Sequence, residues 1–186
     1  FPKDGEDDTA WTARVTSNLH DLPTRHNKPI LLISGNSRHE IISHSAERLD
    51  APIAELGDFV YEPDNAVVRS HLIGQLAEQI EAHLFAPEIA YLTSDKEITS
   101  PWLKGYRVID NLVFDRKKLK AYLRERGIGV LEIKKRGSDI VPEQLRRELA
   151  LKGEGAATLI VTRVGDAHRV LVAEAIGKPQ IPNSKF

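Results

Sequence analysis

From residue 89 onward the chain alternates two kinds of hydrophobic pattern, and their order restricts the fold more than any other feature of the sequence. "EIAYLTSD" and "GYRVIDNLVF" read as strands, the second the longer. "RKKLKAYLRER" carries a helical stripe of Leu119, Tyr122 and Leu123 behind the cap Asp115, and Gly127 ends it. "IGVLEIKKR" is a further strand. "PEQLRRELALK" is a helix opened by Pro142, buried through Leu145 and Leu149 and closed by Gly153. "AATLIVTRV" and "HRVLVAEAI" finish as a hairpin across "GDA", with Gly165 suited to positive φ. The order strand, strand, helix, strand, helix, strand, strand predicts an α+β fold, a mixed α/β sandwich with helices packed on a mixed β-sheet.

Upstream, "YEPDNAVVRSHLIGQLAEQIEAHLF" repeats an apolar residue every fourth position, at Val68, Leu72, Leu76, Ile80 and Leu84. That spacing predicts one long helix over 63–85, with Pro63 in its first turn and Glu62 and Asp64 at the positive end of its dipole. "KPILLISG" and "HEIISH" read as a hairpin turning at Gly35 and Asn36. Two strands bury too little to stand alone, so the hairpin is expected at the edge of a larger sheet, with "WTARVTS" as a candidate third strand. "FPKDGEDDTA" reads as a frayed end or linker. The expected organisation is therefore 1–57 as linker and hairpin, 58–88 as a bridging helix, and 89–186 as an α/β domain.

The sequence carries few motifs of known chemistry. No glycine-rich turn follows a strand, no phosphate loop ends in Lys-Ser or Lys-Thr, and no G-x-S-x-G elbow occurs. "RGIGV" lies between a helix end and a strand start, the reverse of a cofactor turn. His39 and His44, five apart on a strand, would face opposite sides, so no metal site is expected. The chain has no cysteine, which excludes disulfides and a Cys nucleophile and suits the cytoplasm. No apolar stretch is long enough for a bilayer, so no membrane partner is expected. The chain begins with Phe1 and lacks methionine, so it is expected to be a piece of something longer, with any catalytic machinery upstream.

Charge is more telling. Residues 1–100 carry 8 Lys/Arg against 17 Asp/Glu, a net of −9; residues 101–186 carry 18 against 10, a net of +8. A basic half points towards nucleic acid, or else towards the acidic half of the same chain. The candidate phosphate contacts are Lys134, Lys135, Arg136, Arg146 and Arg147, with Arg163 on the last hairpin. Few aromatic residues accompany them, which suits recognition of structured RNA by its backbone better than base stacking.

"YEPDNAVVRSHL", "PEIAYLTSD", "GYRVID", "LEIKKRG" followed by "PEQLRREL", and "AATLIVTRVGD" resemble, in that order, one bacterial protein family. It is a family of class I S-adenosylmethionine-dependent methyltransferases whose C-terminal part carries a THUMP-like domain. The resemblance spans roughly 58–175. It implies an upstream Rossmann-like methyltransferase domain in the same chain, with the hairpin as the tail of its sheet. S-adenosylmethionine is the implied cofactor of that whole protein, though no cofactor is expected in this stretch. RNA is the implied substrate. The glycine-rich cofactor motif and the acidic, proline-containing catalytic motif of such an enzyme are absent, so the stretch is expected not to methylate alone. Val141 stands where similar sequences offer an Asp cap. The alternative is a structural module that orients the methyltransferase or forms a homodimer without touching nucleic acid.

Overall fold

The computed structural model describes residues 30–34, 37–41, 49–165 and 167–177. A seven-stranded mixed sheet runs in the order β4-β5-β3-β6-β9-β8-β7. Its strands are β3 (Phe59–Pro63), β4 (His83–Leu84), β5 (Leu92–Ser94), β6 (Leu103–Val113), β7 (Ile128–Lys135), β8 (Gly155–Val164) and β9 (Ala167–Ala175). Among these seven strands β7 and β8 are the parallel pair; α4 (Pro142–Leu149) connects them, and α3 (Arg116–Glu125) joins β6 to β7. The α+β class is as the sequence predicts, and the elements after residue 100 lie where their patterns put them, except that α4 ends at Leu149, with Ala150 in the left-handed conformation at φ 43°, and not at Gly153.

The long helix expected over 63–85 does not form. Its span holds the end of β3, two short helices, α1 (Asn65–Arg69) and α2 (Ile73–Gln79), and then β4. Pro63 closes a strand, and Asp64 is the N-cap of α1, accepting from the Ala66 N–H at 2.8 Å. The breaks come at His71 and Glu81, which adopt left-handed φ values of 58° and 55°. At each, the following N–H reaches back five residues, Leu72 to the Val67 carbonyl and Ala82 to the Ala77 carbonyl. This is the helix-ending motif that usually takes glycine, here built on His and Glu, so the sequence carries no stop signal. The apolar repeat is nonetheless used: Leu72, Leu76 and Ala77 pack with Tyr61, Leu92 and Trp102 in one core.

The hairpin of β1 (Ile30–Ser34) and β2 (Ser37–Ile41) forms as a separate two-stranded sheet, not as an edge of the larger one. The edge at β4 is already taken by residues 52–54, through bonds between Ala54 and Leu84 and between Leu84 and Pro52. "WTARVTS", "FPKDGEDDTA" and the Gly35–Asn36 turn lie outside the described residues.

The four helices among the described residues cover one face of the sheet. Beneath α3 and α4, Leu119, Leu123, Leu145 and Leu149 meet Leu131, Leu159, Val161, Val170 and Val172. The opposite face carries Val60, Tyr106, Ile160, Leu171 and Ala173, covered by Phe85, Ala86, Ile89 and Tyr91 from the connection after β4. A bulge in β6 between Val108 and Asp110 shifts the alternation by one, so Leu112 joins the helix-covered core although Tyr106 faces away from it.

Candidate nucleic-acid interface

The basic run at the end of β7 divides by the alternation of strand side chains. Lys134 points to the face without helices. Its ammonium lies 2.8 Å from Glu62 and 3.3 Å from Glu132, and 5.4 Å from the centre of the Tyr106 ring. Only 16% of the Lys134 side chain and 25% of that of Glu62 are exposed. Burial works against the charge, but hydrogen bonds to Glu62 and Tyr106 outweigh it and hold the Lys134 pKa above the ordinary lysine value. β3 and β7 stand four places apart in the sheet, so this pair forms only because the sheet curls towards that face. Arg136 lies on the same side, its guanidinium 5.2 Å from the centre of the Tyr91 ring. Burial, reinforced by the Glu62 carboxylate, pushes the Tyr91 phenol up to about 12.

Lys135 points the other way. It pairs in register with Val161, a residue of the helix-covered core, and Arg163 follows two residues further along β8 on the same face. The structure thus brings Lys135 and Arg163 together at the carboxyl end of the parallel pair, although 28 positions separate them in sequence. On α4, Arg146 turns back to the sheet edge: it donates to the Leu131 carbonyl and lies 3.7 Å from Glu143. Arg147 is exposed. Lys135, Arg136, Arg147 and Arg163 make no ion pair among the described residues, and of these Arg136 lies against the Tyr91 ring. Lys134, expected from the sequence as a phosphate contact, is bonded here to a carboxylate 72 positions away.

Near Arg163 lies a cleft of about 370 Å³. Gly137, at φ 64°, turns the chain out of β7 into the loop that forms one wall. Ser138 from this loop and His168 from the start of β9 share a 2.8 Å hydrogen bond. The His168 ring packs on Phe114 with centroids 4.6 Å apart, and Arg116 lies 5.5 Å from the Phe114 centroid while bound to Glu148 at 2.7 Å. Sequence reading missed Ser138, His168 and Arg116, since no local motif links positions that three separate elements bring together.

The fold and this face define an α+β module with its helices on one side and a cationic cleft at the end of a parallel strand pair. Residues 103–175 match the family model described as "THUMP domain-like". Two proteins from Mycobacterium tuberculosis, strains CDC 1551 / Oshkosh and ATCC 25618 / H37Rv, are each 33% identical over 138 residues. Both are named uncharacterized S-adenosylmethionine-dependent methyltransferases; the match covers 71% of this chain and 38% of each of them. A solved structure from Porphyromonas gingivalis W83, provisionally named a methyltransferase, superposes with a TM-score of 0.63 at 18% identity, covering 78% of this chain and 37% of that one, and so shares the fold. The chain carries a THUMP-like domain and is homologous to uncharacterized S-adenosylmethionine-dependent methyltransferases. It spans 38% of the length of those mycobacterial relatives. No helix among the described residues is long and apolar enough to cross a membrane.

Proposed function

We propose that this chain is the C-terminal, non-catalytic part of an S-adenosylmethionine-dependent methyltransferase, and that it holds structured, tRNA-like RNA for a catalytic domain in the same protein. The division of the basic residues carries the reading. Lys134 and Arg146 are engaged by the protein, whereas Lys135, Arg147 and Arg163 are exposed without a carboxylate partner among the described residues, and Arg136 stands over an aromatic face. Such cations suit contact with phosphates, which orients a duplex without reading its bases. The methyltransferase assignment draws on the relatives' names, and the cofactor would be held outside the THUMP-like domain.

Filter binding of bulk tRNA at low and moderate salt tests the proposal. The chain should bind at low salt and release as salt rises, and joint replacement of Lys135, Arg147 and Arg163 by Ala should weaken binding at least tenfold. Absence of binding at low salt ends the RNA reading. Labelled S-adenosylmethionine should not be retained by the chain alone; tight retention would overturn the non-catalytic assignment. One observation favours the second reading, a module that orients the methyltransferase: the Lys134–Glu62 pair ties β7 to β3 across the sheet.

A further inference from the structure

The cleft beside Arg163 is unlike the rest of the basic surface, because its polar groups are positioned by one another. Arg116 lies against Phe114, and Phe114 packs on His168. His168 is bonded through Nε2 to the Ser138 hydroxyl. Arg163 lines the same cleft and makes no ion pair among the described residues. Asp139 is the acidic lining residue, and Glu148 answers the charge of Arg116. A second recess, of about 320 Å³, lies between Arg124 and Lys152 at the opposite ends of the helices, where carbonyl groups face the solvent. The Arg163 cleft instead adjoins the starts of both helices; that of α3 is already capped by the Asp115 carboxylate, whereas α4 has no side-chain cap and its first N–H groups favour an anion.

From this geometry we infer that Ser138, His168 and Arg163 form a seat for a single phosphate group. Arg163 supplies a forked set of N–H donors suited to two phosphate oxygens. With Nε2 protonated and donating to the Ser138 oxygen, the Ser138 O–H is free to donate to the anion. The Phe114 ring fixes the imidazole plane, so little ordering is needed on binding. The inference deepens the RNA reading and rests on it for the source of the phosphate. The chemistry is shared by a backbone phosphate of RNA and by free phosphate.

Titration of the isotope-labelled chain with inorganic phosphate, followed by amide and imidazole NMR signals, tests the seat directly. Saturable shifts confined to residues 137–140, Arg163 and His168 are expected. Arg163→Gln should weaken phosphate binding about tenfold, and Ser138→Ala by a smaller factor. Circular dichroism would verify that these variants keep the fold, which is expected for partly or fully exposed positions. In parallel tRNA binding, Arg163→Gln and Ser138→Ala should both lower affinity, and phosphate should compete. Shifts scattered over all surface cations without saturation would overturn the inference. So would tRNA binding indifferent to both variants, and that result would leave the RNA reading standing. Saturable phosphate binding in a chain that ignores tRNA would remove the RNA reading and keep the seat for free phosphate.

Discussion

Replacing Lys134 with Met would take the ammonium from between Glu62 and Glu132 and leave Glu62 three-quarters buried beside Tyr106 with no cation. The expected loss is about 1–3 kcal/mol in urea unfolding, since a buried acceptor without its partner keeps its desolvation cost. The same substitution should leave tRNA affinity within about twofold, whereas Arg163→Ala lowers it; equal losses would mean that Lys134 reaches the ligand. The neighbouring tyrosines allow a test at high pH. Tyr91 is raised by burial to about 12, and Tyr106 is raised for the same first cause. Lys134 is raised too, so all three hold protons in the folded state that the unfolded chain loses near pH 10. Their contribution is complete below about pH 10 and is lost as pH climbs through the folded values, so stability should fall between pH 10 and 12. Tyrosinate absorbance during that titration should show Tyr91 ionising last, and Tyr91→Phe should remove the final step.

At the scale of elements, the amino ends of β7 and β8 approach through glycine. A Cβ on Gly129 would lie 1.8 Å from the Gly153 carbonyl oxygen, and one on Gly153 would lie 1.9 Å from that of Gly127. Backbone cannot yield as a side chain tip does, so Gly129→Ala should destabilise by about 1–3 kcal/mol in thermal or urea unfolding. "RGIGV" is thus a helix stop at Gly127, φ 64°, followed by a close crossing at Gly129, and the reverse-order reading of that motif agrees. The start of α3 makes a contrast with that of α4. Asp115 accepts from the Lys118 N–H at 2.8 Å, and that bond holds its carboxyl below the ordinary aspartate range. Asp115→Ala should lower the melting temperature at neutral pH, with the difference closing as pH falls through the Asp115 pKa; Asp115→Asn should retain most of the cap. Val141 gives α4 no side-chain cap, in keeping with its sequence. The two helices within 63–85 are the case where periodicity misled: left-handed residues at His71 and Glu81 bend a continuous apolar stripe around one core.

Across the whole molecule, the basic half is a surface with three fates: engaged in ion pairs, stacked on aromatic rings, or open. If Lys135, Arg147 and Arg163 each contact one phosphate, removing any one should reduce the salt slope of RNA binding by about one. A slope unchanged in all three single variants would place the RNA elsewhere on the protein. By itself the sequence determined the type and order of elements from residue 103 to 175, because strand alternation, helix stripes, caps and glycine stops act between residues a few positions apart. It also determined that charge would gather in this half and which six cations to consider. Only the tertiary structure decided that Glu62 would occupy Lys134, that β3 would enter the middle of the sheet, and that Ser138, His168 and Arg163 would share a cleft. Each of these joins residues from separate elements, and the path of the chain between elements is set by packing of the whole core, which no local pattern records.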